Sequence, residues 1–184
     1  MQKHYFLALD VPIETAKSIT KWISANQDRW HFSRYVHPFD YHVTLVFLGN
    51  VDAKRLALLS ESLLESCRKI PSFSLELSEA GIFGKREHPR ILWVGVKENE
   101  LLYQLRNEVY NTCKAFDFSL DERPFRPHIT VARKWEGQLS FSLEEKCAPY
   151  LLNEHFHVGS VTLFQTNIDQ TPKYEAIKQI PLGG

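Results

Sequence analysis

This 184-residue chain has only three cysteines, one methionine and no surplus of either charge. Cys67, Cys113 and Cys147 are too few and too irregularly spaced for a disulfide framework, and no C-x-x-C pair occurs. They are expected as packed thiols, two of them near the ends of helical patterns, and none is a candidate nucleophile. Lys and Arg number 22 together, as do Asp and Glu, so the formal net charge is zero and an indiscriminate basic nucleic-acid binder is excluded. Contact with a polyanion must then be local. No apolar run reaches the ~18 residues of a membrane helix. The short run through Val11 contains Asp10 and meets Pro12, unlike a signal peptide. No membrane partner is expected, and the cytoplasm is the expected compartment.

What is present suits one packed domain over residues 1–184. The chain is 43% hydrophobic and 24% charged, without low-complexity tracts. His4 to Asp10 reads as a strand, with Pro12 opening a helix through Trp22 toward Asp28. Tyr41 to Leu48 is a strand. A helix follows from near Asp52, with Leu56, Leu59, Leu63 and Leu64 at helical spacing, and ends before Pro71. Phe73 to Leu77 and Ile91 to Val96 read as strands joined by a loop holding Gly81, Gly84 and Pro89. Glu100 to Ala115 carries Leu101, Leu102, Leu105, Val109 and Cys113 on one helical face. Phe125 to Arg133 is a strand interrupted by Pro127, hence an edge or a strand start. Ser142 to Leu152 has capping-box spacing for a last helix, and His155 to Thr166 and Lys173 to Ile180 close the chain as strands. Several connections are too short for parallel crossovers, so an α+β fold with antiparallel or mixed sheets is expected.

One phrase occurs twice: His42-Val43-Thr44-Leu45 and His128-Ile129-Thr130-Val131, both H-x-T-[LV] in β-prone surroundings. Strand alternation points each His and its Thr to one face. The repeat suggests an internal duplication with one motif on each of two similar lobes. Two imidazoles that titrate near neutrality can share the proton traffic of a phosphodiester displacement, while two hydroxyls hold phosphoryl oxygens. The stretch from Arg123 to Lys134 supplies local positive charge. Within it, Arg133 lies five residues beyond His128, and on a flat strand it would face the other way. His155 and His157 form an H-x-H pair without a local carboxylate or cysteine set, so no metal site is expected there.

H-V-T-L-V-F-L-G (His42 to Gly49) and F-R-P-H-I-T-V-A-R (Phe125 to Arg133) resemble the paired motifs of the two-histidine phosphoesterase superfamily, in particular its bacterial and archaeal RNA 2',3'-cyclic phosphodiesterases, also called 2'-5' RNA ligases. Phe6-Leu7-Ala8-Leu9, Pro89 to Val96 and Val161-Thr162-Leu163-Phe164 are similar to other strands of that family. Tyr5 and Thr166 depart from its usual basic residue and serine.

The resemblance implies a bilobed fold around a central cleft and hydrolysis of RNA-terminal 2',3'-cyclic phosphates to 2'-phosphates without metal or cofactor, with reversible 2'-5' joining in some members. It implies His42 and His128 as the acid/base pair, with His128 activating water and His42 protonating the departing 3' oxygen. Thr44 and Thr130 would be phosphate ligands, with Arg133 as the basic residue after the second motif. Phe83 and Phe125 are candidates for stacking a base. The expected partner is an RNA or oligonucleotide ending in a 2',3'-cyclic phosphate, bound by a monomer. Two other readings keep the same motifs: a phosphodiesterase for a small cyclic nucleotide or a 2'-5' oligonucleotide, and an RNA-terminus binding module with little turnover. Binding alone does not require two titrating groups.

Overall fold

The computed structural model describes residues 3–142 and 154–184. Nine strands and three helices alternate along it: β1 (His4–Asp10), α1 (Ile13–Asn26), β2 (Phe32–Tyr35), β3 (His42–Asn50), α2 (Ala53–Cys67), β4 (Phe73–Gly84), β5 (Pro89–Val96), α3 (Glu100–Ala115), β6 (His128–Trp135), β7 (His155–Val158), β8 (Ser160–Thr166) and β9 (Tyr174–Pro181). The helices start where side chains or proline favour it. Asp52 accepts from the Arg55 N–H at the head of α2, Asn99 accepts from the Leu102 N–H at the head of α3, and Pro12 precedes α1. The buried face of α3 is Leu102, Leu105, Val109 and Cys113, as its spacing implied, while Leu101, expected with them, is only half-buried at the edge of the core. Burial pushes the Cys67 and Cys113 thiols up to about 12, so both pack as inert small hydrophobes.

The strands follow one path, β7-β4-β5-β6-β3-β1-β8-β9, with β2 added on β6, and every pairing between them is antiparallel. The α+β class is as expected. The two expected sheets are instead joined at the centre through one paired position, Val43 with Ile129. Both of those side chains are fully buried, together with Leu7, Leu9, Leu92 and Leu105 in the main core. Phe6, Ala8 and Phe164 pack as a separate small cluster against Tyr174. Phe6 and Ala8 alternate along β1 with Leu7 and Leu9, so this cluster occupies the other face of the sheet.

Several boundaries differ from the sequence reading. β4 runs on to Gly84, leaving only residues 85–88 as the turn before β5, because β5 pairs with it along that length. β6 starts at His128, just after Pro127 with its missing donor, and lies inside the sheet. Gly159 divides the closing stretch into β7 and β8. β2 has one buried residue in four and shows no alternation by which to find it. The helix expected at Ser142 to Leu152 falls outside the described residues from 143 onward. Among the described residues no helix is long and apolar enough to cross a membrane.

Candidate active site

The pairing of Val43 with Ile129 fixes what surrounds it. In an antiparallel pair the next positions run His42 beside Thr130 and Thr44 beside His128. Val43 and Ile129 point into the core, so the four motif side chains share the opposite face, and all four are half-buried. The two histidines are also held alike. Each ring presents Nδ1 to the carbonyl two residues back, His42 to Asp40 at 2.7 Å and His128 to Arg126 at 2.6 Å. A carbonyl can only accept, so each Nδ1 carries a proton and each Nε2 is left for chemistry. Among the described residues neither threonine hydroxyl has an intramolecular partner.

A β-bulge brings Arg133 to this face. Along β5 and β6, Leu92 pairs with Ala132 but Trp93 pairs with Thr130, so Val131 is an extra residue. Val131 and Ala132 are both buried, and the alternation resumes with Arg133 on the side of His128 and Thr130. The same bulge occurs in β3: Leu7 pairs with Val46 and Ala8 with Thr44, leaving Leu45 over. In both strands the extra residue is the fourth of H-x-T-[LV]. Phe47 is therefore the positional counterpart of Arg133. Of the other basic residues near the second motif, Arg123 pairs with Asp121 and Lys134 with Glu136.

Aromatic rings wall the histidines. Phe6 lies 4.9 Å from the His42 ring, and Tyr174 meets it edge-on at 5.1 Å. Phe83 meets His128 edge-on at 4.9 Å, with Trp93 behind at 6.2 Å. Gly81 leaves room for that indole, since a Cβ there would come within 2.2 Å of Trp93. Of the two stacking candidates, Phe83 is thus beside the pair, on β4 rather than in a loop. Phe125 instead packs against Tyr103 and under the Arg106 guanidinium on α3.

Desolvation sets the proton affinities. Burial pushes His42 down to about 4, opposed by the carbonyl and charge of Asp40 and reinforced by Arg133 and His128. His128 is lowered too, chiefly by burial, against its Arg126 carbonyl and with Arg133 pushing the same way. Arg133 thus acts on both rings, and His128 acts on His42 as well. Burial raises Tyr174, while Arg133 beside its hydroxyl works the other way.

Two residues that the sequence reading did not assign to the site, Asp40 and Tyr174, organise it. Asp40 is 5% exposed. Its carbonyl holds His42, and its carboxylate accepts from the N–H groups of Lys173 (2.9 and 3.0 Å) and Tyr174 (3.0 Å). Tyr174 is thereby set edge-on against both His42 and Phe6. The sequence carried no signal for this, because the partners are more than 130 positions apart. A cavity of about 710 Å³ lies between Trp22, Trp30, His31 and Trp135, and none of the motif residues lines it. Among the described residues no three His, Cys, Asp or Glu side chains converge as a metal site.

The family model described as the 2'-5' RNA ligase superfamily matches residues 11–170. The chain is 42% identical to an RNA 2',3'-cyclic phosphodiesterase of Geobacillus stearothermophilus over 183 residues, which is 100% of this chain but 58% of that protein. It is 34% identical to the RNA 2',3'-cyclic phosphodiesterase of Bacillus subtilis, covering 99% of this chain and 98% of that one. The structure of E. coli LigT complexed with 3'-AMP superimposes with a TM-score of 0.84 at 26% identity, covering all of both chains.

Proposed function

The chain belongs to the 2'-5' RNA ligase superfamily, and on that premise we propose that it opens the 2',3'-cyclic phosphate at RNA ends to a 2'-phosphate, using His42 and His128 as a paired acid and base. The observation that carries this reading is the central antiparallel register, which sets two His/Thr pairs crosswise on one face with both Nε2 atoms free.

In this scheme the phosphate is held by Thr44, Thr130 and Arg133, whose donors suit the charge that gathers on the phosphoryl oxygens in the transition state. Nε2 of neutral His128 takes a proton from water as its oxygen bonds to phosphorus. The P–O3' bond breaks, and protonated His42 gives its Nε2 proton to the departing oxygen. The product is a 2'-phosphate with a free 3'-hydroxyl, and exchange of one proton between the rings and water resets the pair. Because His42 binds protons weakly without substrate, the anionic phosphate must raise its affinity on binding. A 5'-hydroxyl in place of water would give 2'-5' joining by the same steps.

The scheme treats the molecule as two lobes related by a pseudo-twofold axis, with the cleft between β3 and β6. Supporting this, β1-α1-β3 and β5-α3-β6 repeat a strand–helix–strand order, with β2 inserted in the first, and the bulges recur at equivalent positions. The test is incubation of the protein with a 2',3'-cyclic-phosphate oligonucleotide in EDTA. The expected result is a 2'-phosphate product, lost in His42→Ala and in His128→Ala. Absence of product, or full activity in either variant, would overturn it.

A further inference from the structure

We infer that Arg34 binds a second phosphate, the 3'-5' phosphodiester that joins the substrate's terminal nucleotide to the rest of its strand. The inference rests on the proposed reading and deepens it, since such a contact favours an oligonucleotide over a free cyclic nucleotide. Arg34 stands directly opposite Arg133 where β2 pairs with β6. Opposite residues of an antiparallel pair share a face, with Cβ atoms ~4.5–5.5 Å apart, so Arg34 is on the face of the histidines. The next pair agrees, because Tyr35 stands opposite Ala132, which is buried on the core side. Like charges placed in this way cost stability unless an anion lies between them. Arg34 is exposed, and among the described residues its guanidinium has no hydrogen-bond, ion-pair or ring partner. The nearby acids are engaged elsewhere. Glu136 pairs with Lys134 and reaches Ser33, both of which alternate to the other side of their strands. Asp40 is buried on the N–H groups of Lys173 and Tyr174.

The two arginines have different surroundings. Arg133 reaches the Tyr174 hydroxyl and acts on both histidines, so it belongs to the reacting phosphate. Arg34 lies farther out, on the line of His42. β2 and β3 run end to end along one side of β6, β2 opposite Ala132 to Trp135 and β3 opposite Ile129. From Thr130 to Arg133 the strand rises about two steps, the bulge absorbing the third, or ~7 Å. A ribose separates its 3' and 5' phosphates by a comparable span. With the departing 3' oxygen toward His42, the terminal ribose lies on that side, and its 5' phosphate falls to Arg34. The rest of the strand then leaves over a basic end of the sheet. Ile91 on β5 completes the ladder at Arg133, and exposed Lys85, Arg86 and Arg90 lie just before it against one carboxylate, Glu87.

The test measures binding by calorimetry, so that it does not depend on turnover. A diadenosine ligand ending in a 2'-phosphate is compared with its analogue whose internucleotide link is an uncharged methylphosphonate. Both are titrated into the wild type, Arg34→Gln, Arg34→Lys and, as a charge control, Lys54→Gln at the exposed start of α2. The expected result is a wild-type preference for the charged link of about 2- to 5-fold at low salt, the scale of an exposed ion pair, lost in Arg34→Gln and kept by the other two. Added salt should shrink it. No wild-type preference at low salt, an unchanged preference in Arg34→Gln, or equal weakening of both ligands in that variant would overturn the inference. So would loss of the preference in Lys54→Gln, which would trace it to overall charge. Failure of the wild type to hydrolyse a cyclic phosphate would count against the proposed reaction alone.

Discussion

Replacing Asp40 with alanine should cost stability and disturb catalysis together, because one carboxylate serves both. It is 5% exposed and accepts from two backbone donors, the N–H groups of Lys173 and Tyr174. Alanine leaves both donors unsatisfied in a part-buried place, at ~1–3 kcal/mol each. The sum, roughly 2–6 kcal/mol, corresponds to a Tm lower by about 4–24 °C for a chain of this size. Two further effects reach His42. Tyr174 loses the anchor that sets it against the ring, and the ring loses a nearby negative charge that raises its proton affinity. The acid limb of kcat/KM should therefore move below its wild-type position. Asp40→Asn removes the charge but keeps one acceptor oxygen, so it should shift the limb with a smaller Tm loss. Thermal unfolding and a pH profile of hydrolysis read both. A wild-type Tm and an unmoved limb in Asp40→Ala would refute the reasoning.

Arg133→Gln removes a positive charge that depresses both histidines, so both limbs of the pH profile should move to higher pH, while loss of a charge-assisted phosphate contact lowers kcat/KM roughly 10- to 150-fold. Unmoved limbs would place Arg133 away from the rings. His42 is held at about 4, below its unfolded value of 6.5, so the unfolded chain binds a proton that the folded one refuses. Stability present above pH 6.5 should fall as pH drops toward 4, by an order of 3 kcal/mol, and chemical denaturation of His42→Gln should show a shallower slope over that window. Gly81→Ala drives a Cβ into the Trp93 indole and should cost ~1–3 kcal/mol while lowering kcat through the wall beside His128. A neutral Gly81→Ala would mean that the indole can move aside freely.

The four motif residues proposed to carry the chemistry were legible because H-x-T spacing and strand alternation both follow from local geometry, and the phrase occurs twice. The helices α2 and α3 were legible for the same reason, from apolar residues at helical spacing, whereas their caps at Asp52 and Asn99 emerge only in the structure. A bulge leaves no local mark, since the extra residue exists only relative to the neighbouring strand. That is why Arg133 pointed the wrong way on a flat strand. Asp40 was hidden for a similar reason, its partners being far along the chain. β4 continues through Gly81 because Trp93, its cross-strand partner, needs the space, a tertiary demand that outweighs glycine's low strand preference. Phe125 was drawn to α3 by Tyr103 and Arg106, which no local pattern announces.

The most direct measurement of the division of proton traffic replaces the departing 3' oxygen with sulfur in a 2',3'-cyclic substrate, since a thiolate leaves without a proton. Rates of His42→Ala and His128→Ala on the sulfur and oxygen substrates are compared with those of the wild type. The expected result is that sulfur largely restores His42→Ala and leaves His128→Ala impaired. Equal restoration of both variants, or of neither, would contradict a pair of imidazoles working from opposite sides of one phosphorus.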